Sequence, residues 1–180
     1  MHGPASPGWL LVALCAALGA YCLLRMRSGV EEQRRTAGTE ALMGFGMAAM
    51  AVPATAFSPP SWAWPLYAAV FGAAALRALW AARRGAHHLH HLVGDAAMVY
   101  MAVAMTLSPG RHAGHGGTLG VPALTGVLLL YFVGYVLLSG ARLVPAAAGS
   151  GAVGWGDRPE LARACRLSMG IAMVAMLLAM

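Results

Sequence analysis

Residues 121–141 read VPALTGVLLLYFVGYVLLSGA, a stretch of 21 residues without a charged side chain. Crossing the hydrocarbon core of a bilayer takes about 20 apolar residues of α-helix, so this segment predicts a membrane-spanning helix. The whole chain of 180 residues shares its character, with 59% hydrophobic and 10% charged residues. A soluble domain carries about 25% charged residues, and this composition therefore excludes an ordinary soluble domain.

Five further apolar stretches have similar lengths. The fold class that we predict is an all-α bundle of six transmembrane helices, forming one membrane domain over residues 1–180. The predicted spans are residues 9–24, 41–57, 64–80, 89–107, 121–141 and 161–180. Arg163 and Arg166 fall inside the last span, so their side chains have to reach the interface. Pro159 and Glu160, which follow Asp157, suit the start of that helix.

The distribution of arginine predicts the orientation of the spans. All twelve basic residues are Arg, and eleven lie in or beside the first, third and fifth connections, leaving only Arg111 on the other side. Positively charged connections remain in the cytoplasm. We therefore expect the N-terminus and the C-terminus outside, and spans 2, 4 and 6 running outward. This orientation also accounts for the net charge of +6, and we expect no nucleic-acid partner.

Spans 2, 4 and 6 share a methionine pattern. In each, a charged residue near the cytoplasmic end (Glu40, Asp95 or Arg166) is followed by methionines at offsets of 3, 6 or 7, and 10. These methionines are Met43, Met47, Met50, Met98, Met101, Met105, Met169, Met173 and Met176. Residues three, four and seven apart share one face of an α-helix. Each set therefore forms a narrow stripe, and the chain is interpreted as three pseudo-repeated helical hairpins.

A thioether is a soft ligand, which selects Cu(I), with Ag(I) as its mimic, over Mg²⁺ and Ca²⁺. If the three stripes face one another, their sulfur atoms meet in layers about 5 Å apart, one helical turn. The pattern then predicts a multi-pass protein that binds or conducts a soft metal ion, Cu(I) first of all. In its Met-x-x-x-Met elements alone the chain is similar to the trimeric high-affinity copper transporters. The alternative is that methionine only packs the helices, because it fills gaps in helix interfaces.

Polar candidates lie at both ends of the spans. His87 and His91 are four residues apart on one face of span 4, a spacing that suits a metal. With Cys165 they are predicted to form the cytoplasmic mouth of a metal path, while His112 and His115 act outside. The alternatives are a solvated histidine cluster, an inert buried thiol and a solvated outer loop.

Two acidic residues and two further cysteines complete the set. Asp95 is the most deeply placed acid, and Arg77 or a histidine one turn earlier is its expected partner. Glu40 either caps span 2 or continues the methionine stripe of that span. Cys15 and Cys22 are seven residues apart and are interpreted as packing residues, and without a CxxC motif we expect no redox pair.

An enzyme is the least favoured class. Span-associated histidines occur only on span 4, so no facing pair is available for haem, and we expect no nucleotide either. The remaining alternative is a non-catalytic membrane scaffold or regulatory protein that organises a membrane protein partner through its small-residue interfaces.

Three segments carry a family resemblance: EALMGFGMAAMAVP at 40–53, HHLHHLVGDAAMVYM at 87–101 and ACRLSMGIAMVAM at 164–176. In them the chain resembles an actinobacterial family of small polytopic membrane proteins, which is catalogued only as a domain of unknown function. The resemblance implies a multi-pass location in the lipid bilayer of a bacterial plasma membrane. It implies no activity and no binding site.

Overall fold

The computed structural model describes residues 6–27, 31–53, 56–82, 89–107, 120–141 and 159–180. Their regular secondary structure is entirely α-helical, which confirms the predicted all-α class. The helices are α1 (Ser6–Arg25), α2 (Glu31–Ala51), α3 (Ala63–Ala82), α4 (Leu89–Leu107), α5 (Pro122–Ala141) and α6 (Pro159–Leu178).

Helix α2 differs most from its predicted span, whereas α3 to α6 begin and end within two residues of theirs. It begins at Glu31, in a polar stretch that hydropathy does not mark as a span. Good helix formers and an ion pair between Glu31 and Arg34 support this first part of the helix. The helix ends at Ala51, because Pro53 disfavours a helical conformation in the residue before it.

Within the part of the chain that the structure describes, three helices are long and apolar enough to cross a membrane, namely α1, α5 and α6. Helix α6 qualifies despite its two arginines, since its apolar part extends to Leu178. Pro159 and Glu160 occupy its first turn, as the sequence predicts. These helices are compatible with a membrane location.

The chain divides into two compact units. The first comprises Met1–Pro53 and Leu129–Leu178, and the second comprises Ala54–Leu128 and Ala179–Met180. In the first unit α1, α2 and α6 pack on one another, and in the second α3 packs along α4. The second unit also holds the start of α5, where Val121 N donates to Tyr100 Oη at 2.9 Å.

Helices α1 and α2 approach each other at two glycines. A Cβ atom added to Gly44 would lie 2.9 Å from both Cα and N of Gly19. The same atom on Gly19 would lie 3.1 Å from the ring of Phe45. Glycine is required at Gly44 because the atoms it faces belong to the backbone, which cannot rotate away. This close approach brings the C-terminal half of α1 against the middle of α2.

We expect Gly44→Ala to lower the free energy of unfolding by about 1–3 kcal/mol, the usual cost of overpacking a tight contact. Thermal unfolding in detergent, followed by circular dichroism, measures the change. The matched control is Gly126→Ala on α5, where an added Cβ meets nothing within 4 Å. Equal stability of the two variants would contradict the proposed role of Gly44.

Candidate functional site

Near its C-terminus, α1 places a thiol and a guanidinium on the same helix face. Cys22 and Arg25 are three residues apart, so their side chains are neighbours on the helix surface. Cys22 is fully buried, and Arg25 is 1% exposed. An arginine in such surroundings is costly unless its charge is balanced. Arg25 therefore requires an acidic partner.

Glu40 of α2 is this partner, and it is shared with α6. Its Oε2 atom accepts a hydrogen bond of 2.5 Å from Arg25 Nη1, and its Oε1 atom accepts one of 2.6 Å from Arg166 Nε. The Glu40 side chain is 1% exposed, whereas that of Arg166 is 37% exposed. One carboxylate thus joins three helices. Because it faces two guanidinium groups, one unit of positive charge is left over.

Two thiols lie against these charges. The Sγ atoms of Cys22 and Cys165 are 3.5 Å apart, and Cys22 Sγ lies 3.8 Å from Glu40 Oε2, to which it donates. Both cysteines are buried and unbridged, since a disulfide requires a separation of about 2.05 Å. We call Cys22, Arg25, Glu40, Cys165 and Arg166 the thiol–arginine cluster.

The structure corrects two sequence interpretations. Glu40 lies in the interior of α2 and does not cap it. Cys22 contacts Cys165 across 143 residues of sequence and is not merely a packing residue, so a cysteine pair exists without a CxxC motif. The sequence signal that could have identified this pair is that each cysteine lies near an arginine. Cys22 precedes Arg25 by three residues in α1, and Cys165 directly precedes Arg166 in α6.

Two buried donors, one in the cluster and one beside it, have no hydrogen-bond partner among the residues that the structure describes. They are Tyr21 Oη and Arg25 Nε, on consecutive turns of α1. An unsatisfied buried donor costs free energy comparable to a lost hydrogen bond. The cluster can therefore donate more hydrogen bonds than Glu40 accepts.

Most of the predicted methionine stripes are buried. Among those of the first unit, Met50 is half-buried and the others are buried: Met43, Met47, Met169, Met173 and Met176. Met43 follows Glu40 by three residues, and Met169 follows Cys165 by four. Because α2 and α6 pack together, the thioether rows begin one helical turn from the thiol–arginine cluster.

The stripe of α4 belongs to the second unit. Met98 and Met101 are buried, and Met105 is half-buried. Asp95 is buried one turn earlier. Its helix packs along α3, which carries Arg77, and an ion pair between Asp95 and Arg77 stays a prediction. That the α4 stripe meets those of α2 and α6 on one axis stays a prediction.

The histidine candidates are only partly described. His91 is half-buried on α4, with its ring centroid 6.1 Å from that of His90. His87, His112 and His115 lie outside the described residues. Within the described ranges, no group of three or more His, Cys, Asp and Glu side chains is arranged to hold a metal ion.

Comparison with known proteins gives a family. The model of the family described as Domain of unknown function (DUF5134) matches residues 32–180, which confirms that the chain belongs to a domain of unknown function; the actinobacterial origin stays a prediction. No curated protein and no solved structure matches the chain.

Proposed function

The chain belongs to the DUF5134 family, a domain of unknown function, and we propose that it binds or conducts a soft metal ion, most of all Cu(I). The observation that carries this proposal is the concentration of buried sulfur in the first unit. Two thiols in contact and five buried thioethers lie on three mutually packed helices. Thiolates and thioethers are the side chains that select Cu(I).

The ligands of the proposed site follow the helix axes. Cys22 and Cys165 lie at the level of Glu40, and Met43 and Met169 lie one turn deeper. A neutral thioether row suits a monovalent soft ion, because a bare divalent charge is more costly to hold among apolar helices. The proposed path therefore begins at the cluster and continues along the methionines.

In this proposal the protein lies in the plasma membrane of an actinobacterium. All six helices would then cross the bilayer, with both termini outside and the arginine-rich connections in the cytoplasm. In this orientation the thiol–arginine cluster lies at the cytoplasmic side of the bundle. The proposed cytoplasmic mouth comprises Cys165, His87 and His91, while Arg166 forms the partly exposed edge of the cluster. On the outer side, His112 and His115 are the proposed contacts.

We expect the wild-type chain to retain Cu(I) under anaerobic conditions, in detergent, against a competing chelator. Retention in a triple variant (Met47→Leu, Met101→Leu and Met173→Leu) should fall by at least about tenfold, which corresponds to about 1.4 kcal/mol of binding free energy. Leucine preserves the volume and apolar character of methionine, so the variant tests whether the sulfur atoms bind copper and leaves the helix packing intact. Copper bound per chain is measured by elemental analysis.

The control is Met26→Leu, since Met26 is exposed beyond the end of α1. Its retention should equal that of the wild type. Equal retention by the triple variant would contradict the proposed thioether path and leave methionine as a packing residue. Equal retention by a single Met101→Leu variant, with loss in Met47→Leu and Met173→Leu, would remove α4 from the site and leave the first unit as the binding element.

A further inference from the structure

We propose that Cys22 and Cys165 together hold the metal ion as a two-thiolate site within the thiol–arginine cluster. This inference rests on the proposed function for the identity of the ion; it assigns the thiols of Cys22 and Cys165 to one ion and gives that ion a charge partner, Arg25. None of these residues belongs to the methionine rows.

The distance between the two sulfurs fits a shared metal. Cys22 Sγ and Cys165 Sγ are 3.5 Å apart. Thiolate–metal bonds are about 2.3 Å long, so two sulfurs on one ion are at most about 4.6 Å apart. Binding therefore requires the thiols to separate by about 1 Å at most, a change that two side chains can make by small rotations. The thiols face each other from α1 and α6, so one ion would join these helices.

The charge of the cluster selects the ion. Arg25 and Arg166 share the single carboxylate of Glu40, which leaves one positive charge in excess. Cu(I) bound by two thiolates carries one negative charge and would balance it. A divalent ion such as Zn²⁺ bound by the same thiolates is neutral and would leave the positive charge uncompensated. Arg25 and Glu40 are buried while Arg166 is 37% exposed, so solvent screens part of the excess charge. The anionic Cu(I) dithiolate is still the form that the positive cluster attracts, and the site should prefer the monovalent ion.

The binding step balances without any change in oxidation state. Two thiols and one Cu(I) give one copper dithiolate and two released protons, and two S–H bonds are replaced by two Cu–S bonds. The Glu40 carboxylate already accepts the hydrogen bond of Cys22 at 3.8 Å, so an acceptor is in place next to the first proton. At the cluster, Arg25 Nε and Tyr21 Oη are buried donors without a hydrogen-bond partner among the described residues. They belong to the same helix segment and are suited to stabilise sulfur that carries negative charge.

The test compares cysteine variants of the full chain in detergent, under anaerobic conditions. We expect Cys22→Ser and Cys165→Ser to lose at least about tenfold in Cu(I) affinity against a competing chelator. The matched control is Cys15→Ser, because Cys15 is buried on the same face of α1, one heptad before Cys22. Its affinity should equal that of the wild type. Equal affinity in Cys22→Ser and Cys15→Ser would overturn the proposal.

A second measurement uses only the wild type, so it does not depend on how the variants fold. Titration with Cu(I) in a weakly buffered solution should release two protons per ion, together with the ultraviolet absorption of a copper–thiolate bond. Thioether ligands have no proton to release. Binding without proton release would therefore contradict the thiolate site. Equal affinity of the wild type for Zn²⁺ and Cu(I) would contradict the charge argument.

The outcome also separates this inference from the proposed function. If the methionine triple variant loses copper while Cys22→Ser retains it, the two-thiolate site is wrong and the thioether path stands. If Cys22→Ser loses copper while the methionine variant retains it, the thiol pair is the site and the thioether path is wrong. If both retain copper as the wild type does, both proposals fail.

Discussion

Replacing Glu40 with Gln lowers the free energy of unfolding by about 3–5 kcal/mol, the cost of breaking a buried ion pair by removing one partner. Glu40 is the acceptor for Arg25 Nη1 and Arg166 Nε, and its side chain is 1% exposed. An amide carries no charge and offers one oxygen where the carboxylate offers two. The variant therefore leaves two guanidinium groups without a counter-ion between α1, α2 and α6.

The matched control for this substitution lies on the same helix. Glu31 forms an ion pair with Arg34 on the surface, where both side chains are more than half exposed. Solvent screens such a pair, and Glu31→Gln should change the free energy of unfolding by less than about 0.5 kcal/mol. Denaturant unfolding in detergent, monitored by helical circular dichroism, compares the two variants. Similar midpoints for Glu40→Gln and Glu31→Gln would show that the buried carboxylate does not hold the three helices together.

Replacing all three charged members of the cluster separates its structural role from its proposed chemical role. We expect a triple variant with Arg25→Met, Glu40→Leu and Arg166→Met to be at least as stable as the wild type. Buried ion pairs replaced by apolar residues of similar volume are neutral or stabilising by about 1–4 kcal/mol. The thiols of Cys22 and Cys165 remain in this variant, but the excess positive charge is gone.

Without that charge, the anionic copper dithiolate loses its electrostatic balance. We expect the Cu(I) affinity of the triple variant to fall by at least about tenfold, although the chain is fully folded. The unfolding experiment and the chelator competition are made on the same preparation. A variant as unstable as Glu40→Gln would contradict the structural part of this prediction. A stable variant with wild-type copper affinity would contradict the electrostatic part.

The fold class follows from local sequence properties, which is why it could be predicted. Uncharged or nearly uncharged stretches of about 20 residues mark helices whatever their neighbours are, and the bounds of α3 to α6 agree with this reading. Helix α2 shows where prediction from hydropathy fails. Its first part, from Glu31, is polar and is held by helix propensity and a surface ion pair. Hydropathy therefore could not place its start, and of the two roles expected for Glu40 capping is excluded, because Glu40 lies inside the helix.

Only part of the candidate site could be predicted from the sequence. The methionine stripes follow from helix periodicity, whereas the contact between the two cysteines depends on how the helices pack. Met47 and Met173 lie on stripes that can be read from spacing, and both are buried. Cys22 has no such signature, since its partner is 143 residues away on α6. Which helices face each other depends on contacts such as that of Gly19 with Gly44, where small residues let two backbones meet.

The sequence by itself determined six helices, a composition suited to a bilayer and rows of sulfur on single helix faces, because these properties repeat along one chain segment. The tertiary structure alone decided that one carboxylate would meet two arginines and that two distant thiols would come within 3.5 Å. The reason is physical: periodicity fixes the direction of a side chain around its own helix axis. The distance between side chains on different helices is fixed only when those helices pack.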